Sequence, residues 1–162
     1  MAIVVVTGTR AVLSSARTSF VPHATSANAT LAVYTAPTIL EHPVSQTVNE
    51  GDTVNLSGSF SDPGSADTHT QTWSVVASNG QTISNGSGGS FSFVPNDNGT
   101  YTVTYTVTDD DLDSTSDMVV VTVNNVAPQN VNAGMDQAVD EGDTVSLAGS
   151  FSDPGSADTH TQ

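Results

Sequence analysis

The chain has no cysteine among its 162 residues and only two basic side chains besides histidine, Arg10 and Arg17. Without thiols, neither a disulfide framework nor a thiolate metal site can form. Seventeen Asp and Glu residues stand against the two arginines, giving a formal charge of −15, and every acid lies at or after Glu41. Such a surface repels phosphate backbones and anionic lipid, which excludes nucleic-acid binding and membrane-surface docking. Long hydrophobic runs are also missing. The apolar start, AIVVV at 2–6, is too short for a signal-peptide core or a membrane span, so any export signal is expected outside this chain. No stretch carries a helical period, no Ser/His/Asp arrangement can be argued from spacing, and no Gly-rich loop leads from a strand into a helix. Catalysis is therefore not expected.

What is present is a repeat. EGDTVNLSGSFSDPGSADTHTQ at 50–71 returns as EGDTVSLAGSFSDPGSADTHTQ at 141–162, with Asn55 replaced by Ser146 and Ser57 by Ala148. Aligning Ala36-Pro37 with Ala127-Pro128 keeps the blocks in register at an offset of 91 residues. This divides the chain into a poorly defined segment 1–35, with 29–38 a candidate end of a preceding copy; one whole unit, 36–126; and the incomplete start of a second, 127–162. The second copy is expected to have no core of its own, and the repetition reads as a piece of a longer array.

From residue 44 onward the pattern is apolar/polar alternation broken by Gly, Asn, Asp and Pro. It predicts strands at 44–48, 53–60, 69–77, 81–84, 90–95, 100–108 and 115–124. In the sixth, Tyr101, Val103, Tyr105 and Val107 share one face and four threonines the other. Val54, Leu56, Phe60, Trp73, Val75, Phe91, Phe93, Val119, Val121 and Val123 complete the predicted core. Asn-Gly pairs at 79–80, 85–86 and 98–99 supply the reversals, and SNGSGG at 84–89 reads as a flexible connection. The fold class is all-β: an antiparallel Ig-like sandwich of about seven strands. A unit of about 90 residues buries only about 60–65% of its unfolded surface, so a neighbour or a bound ion would help to hold it.

Three motifs carry a family resemblance: EGDTVNLSGSFSDPGSADTH, NGTYTVTYTVTDDD and VVVTVNNVAP. The unit 36–126 resembles the PKD-type and bacterial cadherin-like Ig-fold repeats of secreted and surface proteins. Asp97 to Val103 resembles the tyrosine corner of Ig-like domains, with Val103 at the cysteine position, Trp73 at the strand-C tryptophan, and Asp97 serving the corner. Where PKD domains usually read W-D-F-G-D-G, this chain has Trp73 followed by SVVASNG.

Antiparallel succession of the strands places the 61–68 and 109–114 loops at one pole. Asp62, Asp67, Asp109, Asp110, Asp111 and Asp113 are expected to meet there without a Lys or Arg to offset them. Two readings stand. In one, the six hold calcium, which takes 6–8 oxygen ligands in flexible geometry. The resembled families bind calcium through loop acids of this kind, and Asp62, Asp67, Asp109 and Asp111 match them best by position. In the other, Asp62-Pro63-Gly64 is a turn initiator and the Asp run a solvated hairpin. An EF-hand is excluded, because its sixth position is Ser114 rather than Gly and its twelfth is Val120 rather than Glu. At the opposite pole lie Glu50, Asp52 and Asp97, close to where Asp153 and Asp158 of the next copy begin, which allows an ion to bridge copies.

His69 reads as a packing residue, and Trp73, Tyr101 and Tyr105 read as core rather than a sugar platform. The reading that follows is a non-catalytic structural or adhesive repeat of a large extracellular or cell-surface protein, stiffened by calcium. Its partners are neighbouring repeats and a polysaccharide or surface protein. The alternative is an accessory carbohydrate- or protein-binding module attached to a secreted hydrolase.

Overall fold

A computed structural model describes residues 35–161. Of the 1–35 segment only Thr35 falls within it, so the expectation of a preceding strand lies outside the described residues. The described chain is all-β and without helices. The strands are β1 (Thr38–Glu41), β2 (Gln46–Asn49), β3 (Val54–Ser57), β4 (Ser59–Ser61), β5 (His69–Ala77), β6 (Gly86–Ser87), β7 (Ser90–Phe93), β8 (Gly99–Asp109), β9 (Ser114–Asn124), β10 (Gln129–Asn132) and β11 (Ser150–Ser152).

One layer is a five-stranded sheet in the order β2-β9-β8-β5-β6, and the other is built from the antiparallel pairs β1-β4 and β3-β7. The long hairpin β8-β9 and the pair β5-β8 run in unbroken register, with Trp73 opposite Tyr105 and Val103 flanked by Val75 and Val119. Alternation in β8 does what a period of two requires: Tyr101, Val103, Tyr105 and Val107 are fully buried, while the threonines between them face outward. Trp73 stacks between Tyr105 at 4.4 Å and Phe91 at 5.8 Å, and Phe93 meets Tyr101 at 5.7 Å. Its indole Nε1–H donates to the Gly88 carbonyl at 2.7 Å, so a fully buried donor is satisfied.

The strand expected at 44–48 is β2, and a further strand, β1, precedes it across Pro43, which has no N–H to give. β1 pairs antiparallel with β4, and after the proline β2 crosses to the other sheet and runs parallel to β9. The second strand divides at Gly58. A Cβ there would come within 2.7 Å of the Tyr105 ring, so only glycine lets the backbone lie on that aromatic.

Two sequence expectations are corrected. Residues 81–84 do not form a strand; Gln81 instead reaches the turn after β7, donating from Nε2 to Val94 O at 3.0 Å and accepting Asn96 N at 2.9 Å. Side-chain hydrogen bonds replace the ladder while Ile83 still packs on the core. The 84–89 loop is not merely a flexible connection, because Gly86 and Ser87 pair with β5 as the sheet edge.

The second copy reproduces local geometry at the same offset. β10 pairs with β11 as β1 pairs with β4, Gly142 takes a positive φ like Gly51, and Gln137 reaches the Ser146 carbonyl as Gln46 reaches that of Asn55. Val145, Leu147 and Phe151 are exposed, whereas Val54 and Leu56 are buried and Phe60 is partly so. Residues 127–161 hold no counterparts of β5 and β7 to β9, the strands that cover those positions in the first copy.

Candidate metal centre

The first pole gathers the predicted acids, and three of them, Asp62, Asp109 and Asp110, are held by loop N–H groups. Asp62 Oδ1 accepts the Gly64 N–H at 2.6 Å, forming the turn that its Asp-Pro-Gly sequence implies. Its other oxygen lies 3.5 Å from His69 Nε2, and His69 packs on Phe60 with ring centroids 4.8 Å apart. Asp109 is buried at the end of β8 and accepts the Asp113 N–H at 2.9 Å. Asp110 accepts the Thr68 N–H at 3.0 Å, tying one loop to the other. Leu112 takes a φ of 73° as the hairpin reverses. Desolvation, followed by the charges of Asp110, Asp67, Asp109 and Asp113, holds the Asp111 carboxyl above its ordinary range. Asp67, Asp111 and their neighbours thus share one negative field, in which three of the six acids also accept backbone N–H groups.

A tighter set forms at the second pole. Glu50, in the β2–β3 turn, is 1% exposed. Its N–H donates to Asn124 O at 3.1 Å, and its Oε1 accepts the Val126 N–H at 2.5 Å, clamping the segment that leaves β9. Its Oε2 is buried with no hydrogen-bond partner. Asp97 stands beside it in the turn before β8. The Tyr101 hydroxyl lies 3.0 Å from the Asp97 backbone carbonyl and 2.9 Å from Gln81 Oε1, and accepts from Asn79 Nδ2 at 2.7 Å. The tyrosine corner therefore uses the main chain of Asp97 and leaves its carboxylate free.

The third member comes from the second copy. Its 153–160 loop sits on this pole, with Ala157 N–H donating to Asn96 O at 3.1 Å. Pro154 rests on Gly51, where an added Cβ would lie 2.9 Å from the proline ring. The loop keeps the first copy's conformation: Gly155 N–H donates to Asp153 Oδ1 at 2.8 Å, and Asp158 N–H to Gly155 O at 3.1 Å. Ligand-type atoms of Glu50, Asp97 and Asp158 then lie within 4.8 Å of one another, as do those of Asp153, Asp158 and His160. None of the six first-pole acids belongs to either triplet.

Electrostatics at this junction is one-sided. Desolvation first, then the charges of Glu50, Asp153 and Asp97 and a hydrogen bond with Asp97, hold the Asp158 carboxyl above its ordinary range. Asp153 moves the other way, lowered chiefly by its hydrogen bond to His160 at 3.0 Å. No Lys or Arg follows Arg17 in the sequence, so none among the described residues offsets the three carboxylates.

A sandwich in which the first strand changes sheets, closed by a tyrosine corner, narrows the kinship, and comparison with known families decides it: residues 44–123 match the family described as K319L-like, PKD domain. Residues 44–123 form a PKD-like domain. A search of curated proteins found no match to the chain. PKD-like domains are typically non-catalytic modules and occur in extracellular proteins. Among the described residues no helix is long and apolar enough to cross a membrane. The replacement of W-D-F-G-D-G by Trp73 and SVVASNG leaves the inward face of that segment apolar, because Trp73, Val75 and Ala77 face the core while Ser74 and Val76 face outward.

The sequence placed Glu50, Asp97 and Asp158 near one another, but nothing in it marked Glu50 as buried. The available signal was the offset: Asp158 is the counterpart of Asp67, so the repeat itself carries an acid toward the pole that bears Glu50 and Asp97.

Proposed function

We propose that this PKD-like unit is a non-catalytic structural and adhesive repeat of a large extracellular or cell-surface protein, working by end-to-end packing against its next copy. The observation that carries this reading is the seating of the 153–160 loop on the pole formed by Glu50, Gly51, Asn96 and Asp97, through Ala157 N–H to Asn96 O at 3.1 Å and Pro154 on Gly51. Each copy presents an acceptor pole and a loop that fits it, so copies in series make a spacer with defined joints rather than free hinges. Calcium is the cation this reading takes for stiffening, because the acids of both poles offer oxygen donors without thiolates. At the first pole Asp67 is the counterpart of Asp158, so a preceding copy would meet the Asp62–Asp67 loop in the same way.

An accessory carbohydrate-binding role would call for an exposed aromatic strip. Trp73, Tyr101 and Tyr105 are fully buried, and among the described residues no exposed Trp or Tyr supports that role.

The chain lacks cysteine, so Thr122→Cys and Ser146→Cys can carry spin labels on exposed positions of the two copies. A narrow distance distribution by pulsed electron resonance in millimolar calcium is expected. A broad distribution there would sink the packed-repeat reading.

A further inference from the structure

We propose that the repeated SDPGSADTH block is a transition-metal loop. Asp62, Asp67 and His69 in the first copy, and Asp153, Asp158 and His160 in the second, each hold one divalent cation of the zinc class. The inference is independent of calcium and of packing between copies.

The deciding pair is Asp62 and His69. The Asp62 side chain is 3% exposed, yet its Oδ2 has no hydrogen-bond partner, and neither has the buried Nε2 of His69. The two atoms face each other at 3.5 Å, beyond ordinary hydrogen-bond length. Burial has taken water from both, so leaving them unanswered is costly. Two ligands at about 2.0–2.2 Å from a tetrahedral zinc stand about 3.3–3.5 Å apart, which matches the separation of this pair.

Local structure aims both groups. Asp62 Oδ1 is engaged by the Gly64 N–H at 2.6 Å, which turns Oδ2 toward the imidazole, and Phe60 holds the ring of His69 at 4.8 Å. The second copy repeats each contact: Asp153 Oδ1 accepts the Gly155 N–H at 2.8 Å, and His160 packs on Phe151 at 4.6 Å. There Nε2 and Oδ2 stand 3.0 Å apart, and with Asp158 the ligand atoms fall within 4.8 Å of one another. In the first copy Asp67 stands against the same turn. A Cβ on Gly64 would collide with Asp67 Oδ2 and lie 3.0 Å from Asp62 Oδ1, so the block needs glycine there to let both carboxylates in. Rotation of the Asp67 side chain completes the first-copy set.

The imidazole selects the metal. Calcium and magnesium take oxygen ligands, whereas a neutral imidazole nitrogen suits zinc, copper and nickel. The chain has no cysteine, so no thiolate competes for the ion. Three protein ligands leave the fourth tetrahedral position to water. A cation held this way ties Asp62, just after β4, to His69, the first residue of β5, and so fastens the loop between them.

The test is calorimetric titration of the full chain with ZnCl₂ in excess CaCl₂, with visible absorption of the cobalt(II)-loaded chain as a second readout. Two zinc ions per chain are expected, undisplaced by calcium, and cobalt should give the intense bands of a tetrahedral site. His69→Gln and His160→Gln should each remove one ion. Asp62→Asn, which keeps an oxygen for the Gly64 turn, should weaken the first-copy ion at least about tenfold, and it reports on that copy should His69→Gln disturb the Phe60 contact. His42→Gln, which removes the exposed imidazole paired with Asp117, should change nothing. Urea denaturation in metal-free buffer, read by Trp73 fluorescence, separates ligand loss from unfolding, and His160→Gln should leave its midpoint in place. No zinc binding, binding that survives both histidine substitutions, displacement by calcium, or weak octahedral cobalt bands would each overturn the loop as a zinc-class site. Loss of an ion in only one histidine variant would overturn the site in the other copy.

Discussion

Gly155 lies directly over Glu50, so near that a Cβ built on it would stand 2.8 Å from the Glu50 Cδ. The second copy reaches the first domain at this point only because that position has no side chain. Gly155→Ala is expected to lift the 153–160 loop from the pole and broaden the distance between positions 122 and 146. The first domain should unfold at the same urea concentration as before. A narrow distribution in the variant would show that the loop is not seated by this contact.

The junction acids give a pH dependence with a worked sign. Asp158 has a folded-state value raised above the ordinary 3.8, so its protonated form favours packing. That contribution is full below the unfolded value and is lost as pH rises through the raised folded one. Asp153 is lowered by His160, so its contribution is present above 3.8 and is lost as pH falls through the lower folded value. In chelator, packing read by spin-label distance should therefore weaken from the acidic side toward neutral pH, and Asp158→Asn should flatten that limb. Indifference to pH from about 4 to 7 would contradict the carboxylate cluster.

Calcium in the millimolar range should raise the melting temperature of the full chain by several degrees over chelator. A ligand at about 100 times its dissociation constant stabilises the native state by roughly 2.7 kcal/mol. Scanning calorimetry with calcium, magnesium and chelator checks this, and superimposed traces in calcium and chelator would remove the metal reading from both poles.

The tyrosine corner is open to a single-atom test. Tyr101→Phe deletes the hydroxyl that accepts from Asn79 at 2.7 Å and stands 3.0 Å from the Asp97 carbonyl. Urea denaturation followed by Trp73 fluorescence should show a loss of about 1–3 kcal/mol, because buried partners are left unpaired. Calcium affinity should stay within about threefold, since a change of roughly 0.6 kcal/mol is all that backbone adjustment at Asp97 is expected to transmit.

Gly58 tests the core from its other side. In Gly58→Ala the new Cβ would meet the Tyr105 ring at 2.7 Å, and Tyr105 is itself stacked on Trp73 at 4.4 Å. Neither ring can withdraw, so a loss of about 1–3 kcal/mol is expected in the same urea experiment.

Much of this molecule was legible before folding. The alternation through Tyr101, Val103, Tyr105 and Val107, the core role of Trp73 and the meeting of the 62–67 and 109–113 acids all follow from a period of two and hairpin succession, which act over a few residues. The strand β1 ahead of Pro43 was not legible, because a four-residue segment can pair with either layer and packing decides which. Nor was the replacement of a strand at 81–84 by Gln81 side-chain bonds, since an alternating run reads the same whether backbone or amide supplies the partner.

By itself, the sequence determined an acidic, thiol-free, all-β repeat with an offset of 91 residues, since composition and periodicity are properties of the chain. The tertiary structure alone decided which of the acids at the opposite pole come within 4.8 Å of one another. It buried Glu50, left one of its oxygens without a partner, and brought Asp158 of another copy over it. Burial and the loss of competing water arise only when distant segments pack, and they set Glu50 and Asp62 apart among the seventeen acids as the two with a buried oxygen that has no hydrogen-bond partner.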